Sequence, residues 1–321
     1  MSFSEAAGFI REHGRFLITS HVNPDGDGIG AMMGLDWVLR KLGKQSVMVL
    51  ESPPPEIFGF LAGYSRICSM EGAGDMSPFD IAILVDSPTM ERVGRAVELI
   101  APNAAVLNVD HHISNKYFGQ VNLVEPTFSS SAEMIYKLAL ELGLTPDRDC
   151  AEYLYTGMII DTGRFRFSNT SPATLLTAAA LVQAGVRPDK VSEGIYDAKT
   201  LETTRALGRF IDSIQIHLGG RAAVGAFEHD FIASEEYRHV ETEGFVNHAL
   251  SIRGVEVAAF LKEVEQGKTR ASLRSRGGID VNRLASVFGG GGHTRAAGCT
   301  IMAPLDEARQ KLLEQMAKGM D

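Results

Sequence analysis

Short apolar runs alternate with helical patterns through the first half of the chain. Runs of strand length occur at Arg15–Ser20, Ser46–Leu50, Ile81–Val85 and Ala104–Val109. Apolar residues recur with helical spacing over Gly28–Leu42, Ala132–Leu142, Ala151–Ile160 and Pro172–Ala184. Ser2 and Glu5 predict a capping box, and Ser171 before Pro172 predicts a helix start. This alternation predicts an α/β fold with a doubly wound, mainly parallel sheet.

A second set of elements follows near residue 200. Strand patterns cover Ile214–His217, Ala222–Phe227, Glu256–Glu263 and Thr269–Leu273, and helical patterns cover Leu201–Ile211, Val281–Phe288 and Leu305–Ala317. We therefore expect a first domain over residues 1–190, a linker over 191–205 and a second, smaller α/β domain over 206–321.

Composition narrows the class of protein. The chain has 321 residues, 45% of them hydrophobic, and its mean hydropathy is near zero, as in globular proteins. It contains no apolar run of the roughly 18 residues that span a bilayer, and it starts without a basic segment followed by an apolar stretch. Three widely spaced cysteines favour neither a disulfide framework nor a thiolate zinc site. We expect a soluble, unprocessed cytoplasmic protein without a membrane partner.

The net charge of −9 disfavours binding to long duplex nucleic acid, because such binding requires many contacts from basic residues to phosphates. An anionic substrate must therefore be held locally, by a metal ion or by clustered arginines.

The segment His21–Gly30 contains one imidazole and two carboxylates, on His21, Asp25 and Asp27. It follows a predicted strand and precedes a predicted helix, so it lies at the edge of the sheet where such folds bind ligands. Oxygen ligands of this kind suit a divalent cation. Alternatively, Asp25 and Asp27 are only turn residues and helix caps.

The same segment also matches a loosened dinucleotide-binding fingerprint, through Gly26, Gly28 and Ala31. Glu51 ends the next strand, where a ribose-binding acid is expected, so a nicotinamide dehydrogenase is a competing hypothesis. However, a pyrophosphate on this loop would meet the carboxylates of Asp25 and Asp27 directly, which favours a metal.

Further acids follow other predicted elements. Asp86 ends one strand, Asp110, His111 and His112 end the next, and Asp161 ends a helix. A mixed set of imidazoles and carboxylates without cysteine suits manganese, magnesium or cobalt better than structural zinc. Two such ions about 3.5–4 Å apart would form the clamp used for displacement at phosphorus.

These motifs resemble those of the DHH phosphoesterase superfamily, which is named after the run found here as Asp110-His111-His112. The resemblance covers nearly the whole chain and includes a Gly289–His293 segment similar to that of the DHH-associated domain. Within the superfamily, the size and this glycine-rich segment are similar to those of the bacterial nanoRNases (oligoribonucleases) and pAp phosphatases. The family fold implies a cleft between the two domains.

The resemblance implies roles for individual residues. One metal would be held by His21, Asp25 and Asp86, and the other by Asp27, Asp86, His111 and Asp161. Asp86 would bridge the two ions, His112 would contact the substrate phosphate, and Asp110 would orient the histidines as a further catalytic group.

A basic segment in the second domain agrees with an anionic substrate. Residues 268–295 contain six lysines and arginines but a single acid, Asp280. Glycine amides can approach a phosphate closely. We expect substrate binding by His112, Arg274, Gly291, Gly292, His293 and Arg295. Some of these arginines are alternatively part of a solvated face, and the glycines part of a flexible hairpin.

The sequence thus predicts a hydrolase with two divalent metal ions, manganese first among them. It would hydrolyse short oligoribonucleotides (nanoRNA) to mononucleotides and remove the 3′-phosphate of adenosine 3′,5′-bisphosphate (pAp). Alternatives are a phosphodiesterase for cyclic or linear dinucleotides and a nucleotide-binding sensor without catalysis. Family members often pair, so a homodimer is one expected assembly.

Overall fold

The computed structural model describes residues 2–74, 76–197, 199–238 and 240–320, with the side chain of His293 left out. The chain forms two compact units, Met1–Ala198 and Lys199–Asp321. Their boundary lies inside the segment 191–205, where one helix ends at Tyr196 and the next begins at Leu201. None of the helices in the described ranges is long and apolar enough to cross a membrane.

The first unit alternates strands and helices. Its strands are β1 (Arg15–Thr19), β2 (Gln45–Leu50), β3 (Ile67–Ser69), β4 (Phe79–Val85), β5 (Ile100–Asp110) and β6 (Val121–Val124). Its helices are α1 (Phe3–Glu12), α2 (Gly26–Lys41), α3 (Met70–Ala73), α4 (Ser131–Glu141), α5 (Arg148–Asp161), α6 (Pro172–Gln183) and α7 (Pro188–Tyr196). Short 3₁₀ segments span Glu56–Phe58, Tyr64–Arg66 and Met90–Leu99.

The six strands form one parallel sheet in the order β3-β2-β1-β4-β5-β6. Side chains of β1 alternate between two apolar layers. Phe16 and Ile18 pack in a core that includes residues of α2, α4 and α5. Leu17 faces the opposite core, with Val93 and Leu99. Both faces of the sheet are therefore covered, which confirms the predicted doubly wound architecture.

Helices α2 and α5 pack unusually closely because glycines lie at their contact. A Cβ added to Gly30 would lie 2.3 Å from the carbonyl oxygen of Tyr153. One added to Gly157 would lie 2.5 Å from the Ala132 Cβ and 2.9 Å from Asp27 Oδ1. Side chains at these positions would separate the helices, so the glycines set the depth at which Asp27 is buried.

The second unit contains a mixed sheet. Its strands are β7 (Gln215–His217), β8 (Ala222–Phe227), β9 (Val257–Glu265), β10 (Lys268–Ser275), β11 (Gly291–His293) and β12 (Ala296–Ile301). Its helices are α8 (Leu201–Asp212), α9 (His229–Ile232), α10 (Phe245–Leu250), α11 (Val281–Ser286) and α12 (Leu305–Lys318), with 3₁₀ turns at Leu218–Gly220 and Glu235–Tyr237. The strand order is β11-β12-β10-β9-β8-β7.

Only the β8–β9 pair of this sheet is parallel among the described strands. One face packs on α11 and α12 through Leu284 and Leu312. The other face carries an aromatic cluster, in which Phe260 of β9 meets Phe210 of α8 and Phe245 of α10.

Several elements lack a pattern that the sequence analysis recognised. β3, β6 and β11 have only three or four residues, too few for a period to be seen. β12 consists largely of small residues, Ala296-Ala297-Gly298-Cys299, and takes its conformation from pairing with β10. Helix α2 begins at Gly26 rather than at the predicted Gly28, because the side chain of Asp25 caps it.

Candidate metal centre

The acidic segments meet where the order of the sheet reverses. From β1 the chain proceeds to β2 and β3 on one side, and β4, β5 and β6 extend the sheet on the other side. The loops after β1 and β4 leave from the same edge, which is the position where doubly wound folds bind ligands. His21 and Asp25 follow β1, and Asp86 follows β4.

Asp86 lies at the centre of the cluster and is almost completely buried. Its φ angle of +52° is in the left-handed region, and its amide donates to the carbonyl oxygen of Val109 at 2.9 Å. This conformation turns the chain sharply at the strand end. Asp86 Oδ2 lies 3.4 Å from His21 Nε2, and Oδ1 lies 3.7 Å from His111 Nε2. The two oxygens of one carboxylate therefore face two different groups of side chains.

The first group consists of His21, Asp25 and Asp86, whose donor atoms lie within 4.8 Å of one another. His21 Nδ1 is 2.9 Å from the carbonyl oxygen of Val22, so it donates there, and this contact orients Nε2 toward Asp86. Asp25 Oδ1 accepts from the amides of Asp27 at 2.9 Å and Gly28 at 3.4 Å. Asp25 is thus a helix cap, as one hypothesis proposed, and also a member of the cluster.

The second group consists of Asp27, His111 and Asp161. His111 Nε2 lies 3.8 Å from Asp27 Oδ2 and 3.4 Å from Asp161 Oδ2. Both oxygens of Asp27 also accept backbone hydrogen bonds from the first turn of α4, from Ser131 at 2.6 Å and Ala132 at 2.8 Å. These bonds at the positive end of the α4 dipole favour the ionised form of Asp27, but burial and the neighbouring carboxylates outweigh them.

His112 is held by Asp110. Its Nδ1 lies 2.6 Å from Asp110 Oδ1 and 3.6 Å from Asp86 Oδ1. Asp110 Oδ2 accepts from Asn115 Nδ2 at 2.5 Å, so the carboxylate is fixed from both sides. His112, Asp86 and His111 form a further group with donor atoms close together.

Burial and mutual repulsion shift the pKa values of this cluster. Burial raises the pKa of Asp161 to about 7, helped by Asp25 and Asp86 and opposed by His111. Burial and the charges of Asp86 and Asp161 raise the pKa of Asp27 well above its usual value. Burial alone would raise the pKa of Asp86, but His21, His112 and His111 lower it overall. The cluster therefore holds more negative charge than its own histidines neutralise.

Burial alone would lower the pKa of His112, but Asp110 and Asp86 raise it to about 9. Burial alone would also lower the pKa of His21, but the contact with Asp86 outweighs burial, so this pKa is raised.

This arrangement fits divalent cations. Two ligands of one ion, each about 2.1 Å from it, lie at most about 4.2 Å apart, and the contacts of His21 and His111 with carboxylates fall within 3.4–3.8 Å. The donor set is mixed imidazole and carboxylate, without cysteine, as the sequence predicted. The structure brings together His21, Asp25, Asp27, Asp86, His111 and Asp161, together with His112 and Asp110.

The same geometry contradicts the nicotinamide dehydrogenase hypothesis. In a dinucleotide-binding loop the first amides of the helix bind the pyrophosphate, but here Asp25 accepts from the amides of Asp27 and Gly28. The two glycines of the fingerprint are instead explained by packing, since a Cβ on Gly26 would lie 2.0 Å from Ile160 Cδ1 and one on Gly28 would lie 2.6 Å from Ser20 Oγ.

Two asparagines support the site without having been recognised in the sequence. Asn115 Nδ2 donates to Asp110 and also lies 2.8 Å from Asn108 Oδ1. Asn108 Nδ2 in turn donates to the carbonyl oxygens of Leu84 and Ser87. This network connects the end of β5 to the loop that contains Asp86. The sequence feature that could have indicated this network is Asn108, a polar residue at the apolar end of β5.

Ser131 is a further residue that the sequence analysis missed. Its hydroxyl lies 3.2 Å from Asp86 Oδ1, and its amide donates to Asp27. The signal was the run Ser129-Ser130-Ser131 before Glu133, a typical start of a helix.

The predicted substrate-binding residues of the second unit lie in one sheet, on β10, on β11 and in the turn between β11 and β12. Gly291 and Gly292 belong to β11, Arg274 belongs to β10, and Arg295 is exposed in the turn between β11 and β12. The amide of Gly292 donates to Asn282 Oδ1 at 2.9 Å, and its φ angle is +151°. A Cβ there would meet the Ala296 carbonyl oxygen at 2.4 Å, so the hairpin itself requires this glycine. The side chain of His293 lies outside the described part of the chain.

Comparison with known proteins agrees with this architecture. The model of the DHH family N-terminal domain matches residues 15–158, and the model of the DHHA1 domain matches residues 223–319. The bifunctional oligoribonuclease and PAP phosphatase NrnA of Thermus thermophilus is 33% identical over 96% of this chain and 90% of its own length. The chain belongs to the DHH family.

Other relatives of this DHH protein are similar over most of their length. The NrnA protein of Bacillus subtilis, also called a bifunctional oligoribonuclease and PAP phosphatase, is 29% identical over 94% of each chain. An exopolyphosphatase-related protein from Bacteroides fragilis has a solved structure that superimposes with a TM-score of 0.91. It is 25% identical and covers 98% of this chain and 95% of its own. The DHH domain contains every cluster residue except Asp161, which lies three residues beyond the matched segment.

Proposed function

We propose that this DHH protein is a metal-dependent hydrolase that degrades short oligoribonucleotides to mononucleotides and removes the 3′-phosphate of pAp. The observation that supports this most directly is the shared carboxylate of Asp86, whose two oxygens face the His21 and His111 groups. The activities named for the NrnA relatives support the choice of substrates.

Two divalent ions, manganese among the candidates, are proposed to bind here. His21, Asp25 and Asp86 would hold one, and Asp27, Asp86, His111 and Asp161 the other. When bound, such ions supply Lewis-acid stabilisation of phosphoryl oxygens and lower the pKa of water.

The protein groups themselves position and neutralise the substrate. In the metal-free protein Asp110 and Asp86 raise the pKa of His112 to about 9, and a protonated imidazole can donate a hydrogen bond to a phosphate oxygen. Asp110 fixes the plane of its imidazole through Nδ1. Asp27 and Asp86 are almost completely buried, which strengthens their electrostatic interactions with neighbouring groups.

The second unit is proposed to bind the substrate through Arg274, Gly291, Gly292, His293 and Arg295. Arginine suits this role because its planar group can form two hydrogen bonds to one phosphate.

The first test is manganese-dependent hydrolysis of a panel containing pAp, linear and cyclic diadenylate, pyrophosphate and RNAs of increasing length. Nucleoside monophosphate released from the shortest RNAs, together with phosphate from pAp, is the expected result. Activity on cyclic diadenylate or pyrophosphate alone would replace this function with another metal-dependent hydrolysis.

The role of Asp86 is tested by Asp86→Asn. Asparagine is a suitable replacement because it tolerates the left-handed conformation that residue 86 adopts. We expect the loss of at least about 100-fold in kcat together with a lower metal content. Asp80→Asn makes the same change at an exposed position of β4, the strand that precedes Asp86, and is expected to retain activity. Near-normal activity of Asp86→Asn with full metal content would exclude the proposed bridging role.

A further inference from the structure

One face of the second sheet has cations at both ends of β10. Arg270, Ser272 and Arg274 alternate with Ala271 and Leu273, which are buried against α11 and α12. Side chains two residues apart on a strand share a face, so these three point to the opposite side. Arg270 is exposed, and Ser272 and Arg274 are partly exposed.

Arg270 lies directly opposite Lys262 in the β9–β10 pair. Like charges in such positions repel each other and destabilise a sheet. Lys262 Nζ donates to Thr242 Oγ1 at 2.9 Å, but within the described ranges neither cation forms an ion pair. Glu265, whose pKa Arg270 helps to lower, is already paired with Lys268 at 2.6 Å.

Lys262 is partly buried, and this burial also disfavours its positive charge. Burial and the charge of Arg270 lower its pKa. An anion bound between the two side chains would relieve both the repulsion and the loss of hydration.

This face also carries the aromatic cluster, in which Phe260 of β9 lies opposite Ser272, but the residues on its other side, toward β12, are small. Ser272 is opposite Gly298 of β12, and Gly298 is opposite Gly291 of β11. Arg274 is opposite Ala296. The exposed Gly298 and the partly exposed Ala296 have almost no side chain, so an extended molecule can lie close to the strands.

The distance along the strand indicates what kind of anion fits. Arg270 and Arg274 are four residues apart, which corresponds to about 13 Å at about 3.3 Å per residue. Two phosphates separated along a chain match this spacing better than a single phosphate does. A flexible chain with several phosphates, such as a single-stranded oligonucleotide, can do so.

We propose that Arg270 and Lys262 bind a second phosphate of an oligonucleotide, beyond the phosphate assigned to Arg274. This inference rests on the proposed function and extends it, because it assigns the binding of RNA beyond one nucleotide to paired residues of β9 and β10. The phosphates of pAp are carried by one nucleoside and do not span this distance. Arg270 and Lys262 therefore contribute to binding of RNA but not of pAp.

The test compares Arg270→Gln and Lys262→Gln with the wild-type protein, on pAp and on RNAs of two to five nucleotides. We expect KM for the longer RNAs to rise about 5- to 10-fold in each variant, with kcat and all parameters for pAp unchanged. The slope of log KM against log salt concentration should decrease in magnitude by about 0.7 for each lost contact. Arg253→Gln, an equal change of charge at an exposed loop position, should alter nothing.

Two kinetic results would overturn the inference. One is an unchanged KM for every RNA, and the other is an equal rise for pAp and RNA. If the wild-type protein hydrolyses none of these substrates, the proposed function fails separately. In that case the second phosphate site is tested by binding of a fluorescent pentaribonucleotide in EDTA. Equal dissociation constants for the wild type and Arg270→Gln would reject this site.

Discussion

At the scale of single residues, the cluster is organised by carboxylates with more than one partner. Asp25 caps α2 and faces His21, Asp27 accepts two backbone hydrogen bonds and faces His111, and Asp110 connects His112 to Asn115. Each carboxylate is thereby fixed in orientation by hydrogen bonds. Pre-organisation of this kind lowers the cost of ordering ligands when an ion or a substrate binds.

Asp110→Asn tests this positioning. The variant retains the size of the side chain but loses the charge that raises the pKa of His112. In the metal-free protein we expect His112 to titrate near pH 9 in the wild type and at lower pH in the variant, as measured by NMR of the imidazole nitrogens. Activity should fall about 10- to 100-fold.

A measurement of the metal content distinguishes this positioning role of Asp110 from a role as a metal ligand. Asp110→Asn should retain its metal, because Asp110 contacts His112 rather than the two proposed ligand sets. An unchanged His112 titration, or loss of the metal, would show that Asp110 acts differently.

Individual residues also show which parts of the site could be predicted from the sequence. Asp86 and Asp110 were recognisable because each ends an apolar strand, and parallel strands bring their ends to one edge. Asn108, Asn115 and Ser131 were not, because they act through hydrogen bonds to groups distant in sequence. The spacing of apolar residues along the chain gives no information about such contacts.

At the scale of secondary-structure elements, the contact between α2 and α5 determines the geometry of the cluster. Asp27 belongs to the first turn of α2, and Asp161 ends α5. The glycines at the contact bring these two carboxylates toward His111. The helical pattern predicted both helices, but not that their glycines bring them so close.

Gly30→Ala should therefore destabilise the protein. Its methyl group would overlap the Tyr153 carbonyl oxygen, a backbone atom that cannot move without shifting α5. We expect a loss of about 1–3 kcal/mol in the free energy of unfolding, measured by denaturant titration.

Gly8→Ala is the matched control, because it lies within α1 and its Cβ would meet nothing within 4 Å. It should stabilise the protein by about 0.4–1 kcal/mol, since alanine lowers the entropy of the unfolded chain. If both variants changed stability in the same direction, the close contact would not be the cause of the effect.

At the scale of the whole molecule, the first unit concentrates negative charge and the second has a basic segment. Both sheets were largely predictable, because their longer strands are apolar or alternate clearly. The strands β3, β6, β11 and β12 were missed because pairing with neighbours, rather than local composition, gives them their conformation.

The surplus of negative charge predicts that metal binding depends on pH. Asp161 has a pKa of about 7 and that of Asp27 is raised, so the metal-free cluster retains protons that an ion must displace. Affinity should therefore rise as pH rises from about 6 to 8, by about tenfold per pH unit for each proton released.

Calorimetric titration of manganese in buffers of different ionisation enthalpy measures the number of protons released. An affinity that stays constant between pH 6 and pH 8, with no proton release, would contradict the charge balance described for this cluster.

The position of the cluster along the chain also has a consequence for biosynthesis. All the proposed ligands lie between His21 and Asp161, and the unit that contains them ends near residue 198. At about 5–20 residues per second, a ribosome needs on the order of 10 s to synthesise the remainder. The nascent first unit can therefore fold and capture metal while the second is still being translated, which would relieve the repulsion among its carboxylates before synthesis is complete.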